Sequence, residues 1–264
     1  MIESVFMFLI FFIAAAISSM IGIGGGVLYV PILLAFGVPF YQAAAISLFI
    51  IMALSISASL VYYRVQLVDW KLALTIEPLI AITALMGGYY SSFIQIKGLK
   101  MLFALVLIVS GYFMIKPIKE IQDRYIARGR RGYWPRKFGE EKYSVNLLLG
   151  LPLTALSGLA AGLLGTGGGV TKVPLMVLLC GVPMKIAVGT SCFMVGTTAL
   201  SGFWGHYFAG HFEPKIALVL ALVVFAGAQL GSRISIKVDK ILLKRIYAIF
   251  LFLISAWMIT SVVK

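Results

Sequence analysis

The chain has 264 residues, 61% of them hydrophobic and 12% charged; soluble globular domains carry about 25% charged residues, so an ordinary soluble fold is excluded. The net charge of +13 first suggests nucleic acid, but the lysines and arginines lie mostly between apolar runs, where the positive-inside rule puts them. Those runs are long and continuous rather than alternating, which selects membrane helices over barrel strands.

Residues 4–20 form the first apolar helix. No basic stretch precedes it, so it reads as a retained helix and not a cleaved signal. Gly22-Ile23-Gly24-Gly25-Gly26 then breaks the run, and Pro31 follows. Glycine inside a helix costs about 1 kcal/mol relative to alanine, and proline removes a donor and clashes with the preceding turn. The piece from Gly26 to Phe36 makes about 16 Å of helix against ~30 Å of hydrocarbon. It is either a half-helix returning from mid-membrane or one half of a broken span. Residues 41–63 span next, and residues 72–94 span again, with interruptions expected at Glu77-Pro78 and Gly87-Gly88. Residues 101–115 complete the first half.

A polar stretch follows over roughly residues 116–144, with nine Lys or Arg against four Asp or Glu. That excess places it in the cytoplasm. The run Arg128-Gly129-Arg130-Arg131 suits nucleic acid, but a topology signal is expected there anyway, so no nucleic-acid partner is expected.

The second half replays the first. Gly22 to Phe36 matches Gly165 to Leu179 at an offset of 143, and after one extra residue the offset becomes 144. Ser47 then matches Ser191, Asp69 matches Glu213 and Gly87 matches Gly231. Random apolar composition does not hold a register over such a length, so this is an internal repeat. Either reading of the glycine pieces gives each half an odd number of crossings, which inverts the second copy. The cation-rich loop 233–245 then falls inside and its poorer mate around Lys97 and Lys100 outside, as the charge rule asks. The expected fold is an all-α integral membrane protein: about eight main helices in two inverted-topology four-helix repeats, each with a Gly-rich broken helix near the membrane midplane. The expected units are a first transmembrane repeat over 1–118, a basic cytoplasmic loop over 119–144 and a second transmembrane repeat over 145–264.

Matching breaks in two halves point to a transporter's substrate site. Each break starts a helix, and helix N-termini carry about half a positive charge and free N–H groups. Gly24, Gly25, Gly26, Gly167, Gly168 and Gly169 let an anion approach the backbone. Thr166 and Thr171 add hydroxyl donors and Lys172 a cation, while its repeat mate Tyr29 adds none. The competing reading is helix packing, which Gly158-xxx-Gly162 and Gly227-xxx-Gly231 fit better. Ser47, Thr190 and Ser191 either line the cavity or bond the backbone one turn back. Gln229 joins the candidates as a polar residue inside an apolar run. Glu77 is an ionisable residue inside a span and so a candidate for coupling, unless it is interfacial. His206, beside Trp204 and Tyr207, is either interfacial or a second coupling residue. Cys180 and Cys192 read as buried thiols. No metal-ligand spacing, dinucleotide fingerprint or nucleophile–base set is legible, so neither a cofactor nor enzyme activity is expected.

The chain resembles the TauE/SafE sulfite exporter-like family, also called TSUP. The resemblance rests on Gly22-Ile-Gly-Gly-Gly with Val30-Pro31, Gly165-Thr-Gly-Gly-Gly with Val173-Pro174, Gly189-Thr-Ser191 and Gly227-Ala-Gln-Leu-Gly231. The first half departs from it at Ala45-Ile46-Ser47 and at Leu85, where the glutamine is missing. The resemblance implies a plasma-membrane permease for small anions, often sulfur-containing: sulfite, thiosulfate or organosulfonates. An anion leaving a negative interior gains about 2.3 kcal/mol per charge per 100 mV, so export is the expected direction. Import would need a coupled proton or sodium ion. An anion channel on the same scaffold and a non-transporting membrane partner subunit are the alternatives.

Overall fold

The computed structural model describes residues 2–115, 132–235, 252–253, 255–256 and 260. The cations of the central stretch from 116 to 131, and those of the second basic loop beyond 235, lie outside the described residues. The first half forms α1 (Ile2–Ile21), α2 (Gly26–Ala35), α3 (Phe40–Arg64), α4 (Trp70–Tyr90) and α5 (Ile96–Ile115). The second forms α6 (Leu147–Leu164), α7 (Gly169–Cys180), α8 (Met184–Phe208) and α9 (Pro214–Ser235). Among the described residues five helices, α3, α4, α6, α8 and α9, are long and apolar enough to cross a membrane.

Two expected interruptions are absent. Helix α4 runs unbroken through Pro78 and through Gly87-Gly88. A proline deprives a helix of one hydrogen bond, and packed neighbours make that tolerable in a membrane. The glycines are there for close approach: a Cβ on Gly87 would strike the Leu159 carbonyl of α6, and one on Gly88 the Gly202 carbonyl of α8. Pro31 and Pro174 likewise lie inside α2 and α7, so the glycines alone make the breaks.

The halves interlock. Helix α4 packs against α6 and α8 of the second half, and α9 packs against α1 and α3 of the first. Gly158 and Gly162 of α6 abut the Ile80 and Ala84 carbonyls, and Gly227 and Gly231 of α9 abut those of Phe12 and Ala16. These two small-residue motifs are packing faces. The repeat mates α3 and α8 cross antiparallel, with Ser55 beside Cys192 and Leu48 beside Gly202, an arrangement consistent with inversion.

One element was not foreseen. The end of the basic stretch folds into an antiparallel hairpin, β1 (Tyr133–Phe138) with β2 (Glu141–Asn146). Its two-residue turn opens on Gly139 at φ +60°, a conformation glycine supplies readily. Tyr143 and Val145 face inward and pack on Val173, Met176, Val177 and Cys180 of α7. Arg136, stacked on Trp134, donates to both Asp69 carboxylate oxygens at 2.5 and 2.7 Å, and Tyr143 donates to the same carboxylate. Asp69 also caps α4 through the Leu72 amide. Burial works against the Asp69 charge, but the bonds from Arg136 and Tyr143 outweigh it and hold the carboxyl below its ordinary range.

A lowered pKa means docking that is complete above the unfolded value, about 3.9, and lost only as pH falls through the lower folded one. The hairpin is therefore expected to stay docked at pH 5. Arg136→Ala removes a charged hydrogen bond, a loss of about 2 kcal/mol. Hydrogen exchange at Tyr143 and Val145 should then quicken by roughly 30-fold.

Candidate functional site

The two breaks have the same backbone. Gly22, Gly24 and Gly25 take φ of +76°, +82° and +71°, and their mates Gly165, Gly167 and Gly168 take +71°, +69° and +74°. Only glycine adopts such a series without strain. Gly25 caps α2 and Gly168 caps α7. The breaks also touch each other. A Cβ on Gly26 would lie 2.6 Å from the Thr166 backbone, and one on Gly169 would strike the backbone of Ile23. Ile51, near the middle of α3, and Val195, near the middle of α8, border the meeting point. The amino ends of α2 and α7 thus meet at half the depth of the bundle.

The expected open hollow between them is not seen. Residues 21–31 are buried, and so are residues 161–170. Gly24 packs on Val195, Gly25 on the Tyr29 ring and Gly167 on Ile51. A solute could enter only if the breaks part.

Ser47 and Ser191, repeat mates, do something neither sequence reading foresaw. Ser47 donates to the Gly165 carbonyl at 2.7 Å, and Ser191 to the Gly22 carbonyl at 3.0 Å. Each half therefore bonds the first glycine of the other half's break. Ser47→Ala or Ser191→Ala leaves a buried carbonyl short of a donor, at about 1–2 kcal/mol each. Either variant should lower the melting temperature in detergent by a few degrees, at about 2–4 °C per kcal/mol.

Lys172 and Glu77 are brought together from opposite halves. Lys172, in the first turn of α7, is 1% exposed and Glu77 5%. The ammonium donates to the Glu77 carboxylate at 3.0 and 3.2 Å, to the Met194 carbonyl at 2.8 Å and to Thr198. Thr197 and Thr198 also donate to Glu77, at 2.7 and 2.5 Å. Glu77 is therefore buried, not interfacial, and the cation expected to meet an anion is already paired. Thr197 and Thr198 escaped the sequence reading. Their signal was there: the first half has Ala53 and Leu54 at the matching positions.

The remaining candidates spread out. Thr171 bonds the Gly168 carbonyl at 2.9 Å and Ser157, and Thr166 is buried at the meeting point. Thr190 accepts from the Asp69 amide at 3.0 Å. Gln229 bonds Ser57 at 3.0 Å, with Arg233 on its other side, so it joins α9 to α3 away from the breaks. His206 is buried, with Nε2 2.9 Å from the Gly162 carbonyl and Nδ1 3.2 Å from His211 and 3.5 Å from Ser91. Its repeat mate Tyr62 donates to the Ser19 carbonyl at 3.0 Å and lies 3.0 Å from Ser235. Ser19 and Ser235 are the mates of Gly162 and Ser91. His206 thus occupies a bridging position present in both halves. Cys180 and Cys192 are buried free thiols.

A mostly apolar groove of about 730 Å³ runs between α3 and α8, lined by Ser55, Thr197, Tyr63, Trp70 and the exposed side chains of Ile56, Leu60 and Leu200, with Ser59 and Phe193 among others. Thr197 on its wall is one hydrogen bond from Glu77. Beyond Tyr63 and Trp70 a second recess of about 280 Å³ reaches Gln66 and the hairpin turn at Phe138-Gly139. The equivalent place at the opposite end is full. Phe203 replaces Ser59 and Phe212 replaces Val68, and their rings, with Phe49, pack at centroid distances of 4.8–5.5 Å.

Two interlocked bundles of membrane-length helices, each with a half-helix that starts in the interior, define a polytopic membrane protein of the transporter class. Residues 7–258 match the family described as sulfite exporter TauE/SafE. The chain belongs to that family. It is 28% identical over 260 residues, 94% of each chain, to the probable membrane transporter protein YunE of Bacillus subtilis. It is also 28% identical over 250 residues to the probable membrane transporter protein MJ0441 of Methanocaldococcus jannaschii, covering 86% of this chain and 85% of that one. A probable membrane transporter protein of Haemophilus influenzae is 26% identical over 254 residues. No solved structure matches the chain.

Proposed function

We propose that the protein is a secondary transporter of a small, sulfur-containing anion (sulfite, thiosulfate or an organosulfonate) in the plasma membrane. The observation that carries this reading is the meeting of the α2 and α7 amino ends at mid-depth, with Lys172 in the first turn of α7. Two helix starts and a cation converge where an anion in transit would need them. The packing supports alternating access as the mode of transport. The breaks are sealed against each other, a recess beside the groove reaches the hairpin turn, and the equivalent place in the other half is filled by aromatic rings. The surplus of Lys and Arg in the sequence next to the hairpin supports a cytoplasmic side for that end. Release of the anion outward is then downhill in the membrane potential if nothing accompanies it.

The test is uptake and counterflow of labelled sulfite, thiosulfate and isethionate in proteoliposomes of the purified chain. At least one should be carried and should raise the melting temperature of the protein, since a ligand that favours the native state stabilises it. Saturable counterflow without single-channel currents identifies a carrier. Absence of flux for all three at full reconstitution overturns the proposal.

A further inference from the structure

The ion pair Lys172–Glu77 is not a demand of the scaffold. The repeat mates of these residues are Tyr29 and Ala221, so the other half builds the same elements with no charge at either position. Acid and base are present together in one half and absent together from the other. A buried ion pair is weak evidence of stability in itself, because apolar groups of similar volume serve as well or better.

Resting on the anion-transport reading, we propose that Glu77 is a proton-binding site, and that anion and proton load the same pair together: the anion takes Lys172 and the proton takes Glu77. In the closed structure the Lys172 ammonium is spent on Glu77, Thr198 and the Met194 carbonyl. An anion that drew Lys172 away would leave the carboxylate unpaired in a dry interior, at high cost. A proton from water removes that cost. The Lys172–Glu77 ion pair breaks, an anion–Lys172 pair forms, and one O–H bond forms on the Glu77 carboxyl. For a monovalent anion the loaded site is neutral, as the empty one is.

Thr197 bonds Glu77 and lines the groove, so a proton arriving there is one hydroxyl from the carboxylate. Once protonated, Glu77 donates one hydrogen bond, and one of the Thr197 and Thr198 hydroxyls turns to accept it while the other goes on donating to the carboxyl. Few other groups compete. Helix α6 brings only Thr154 and Ser157 as polar buried groups; α8 brings the Cys192 thiol, His206 held on the Gly162 carbonyl and exposed Lys185 at its start; α7 brings Cys180 besides Lys172. Lys172 is thus the cation that faces Glu77. Coupling of this kind makes flux respond to a pH gradient and, for a monovalent anion, not to voltage. Where the outside is acidic, it turns the downhill direction from export to uptake.

The experiment uses the full chain in proteoliposomes with a trapped pH dye and the voltage clamped by potassium and valinomycin. Isethionate is included because a sulfonate stays fully ionised near neutral pH, so its own titration cannot imitate coupling. Wild type should move protons with the anion in the same direction, near one per monovalent charge. In Glu77→Gln the number of protons moved per anion carried should fall by at least nine-tenths, whatever becomes of the anion rate. Anion flux without proton movement in wild type overturns the inference and leaves the transport reading standing. Proton movement per anion undiminished in Glu77→Gln also overturns it. No flux of sulfite, thiosulfate or isethionate overturns both. If Glu77→Gln does not fold, infrared difference spectra of wild type decide: the transported anion should raise a protonated-carboxyl band, and no such band overturns the inference.

Discussion

Lys172→Met is expected to lose 3–5 kcal/mol of stability, the usual order of cost for stranding one member of a buried ion pair. Glu77 would keep its Thr197 and Thr198 donors but not its cation. The double variant Lys172→Met with Glu77→Leu is expected to recover most of that loss, since both charges leave the interior together. Neither variant should carry anions. Melting curves in detergent separate the two effects from flux. Recovered melting with absent transport shows that the pair serves function; equal melting of single and double variants would show that the cation carries little.

Gly169→Val is expected to abolish the folded protein. Its Cβ would overlap the Ile23 backbone and crowd the Val195 side chain, and a backbone cannot swing aside as a flexible side chain can. Overpacking typically costs about 1–3 kcal/mol where side chains yield, and here they cannot. Gly150→Ala is the control. It sits in α6 with open space around the added methyl, so alanine should be neutral or gain up to about 1 kcal/mol. Size-exclusion profiles of detergent extracts compare the two directly. A well-folded Gly169→Val would mean that the breaks do not meet.

Much of the architecture was legible because membrane helices declare themselves by length and the repeat by register. The helices begin and end within a few residues of the apolar runs, and the left-handed glycines fall on both copies of one motif. The two small-residue faces were legible too, because glycine every fourth position has few other uses in a span. What stayed hidden was contact across the chain. Lys172 and Glu77 stand 95 positions apart, and nothing in an apolar sequence says which buried cation meets which acid. The serine bonds from Ser47 and Ser191 were hidden for the same reason. The hairpin was masked by its own charge: Arg136, Lys137 and Lys142 read as a solvated loop, although Tyr143 and Val145 alternate as a strand's inner face does. The prolines do not break α2 and α7, because a proline at the sixth position of a helix removes one bond and not the helix.

The interlocking of α4 with the second half has a consequence for biosynthesis. Ribosomes add about 5–20 residues per second. Glu77 therefore enters the bilayer several seconds before Lys172 has been polymerised. During that interval the nascent acid has no counter-ion and the glycine edge of α4 has no neighbour. The first half is an unfinished surface that the translocon, or a membrane chaperone, must shelter until its complement is translated.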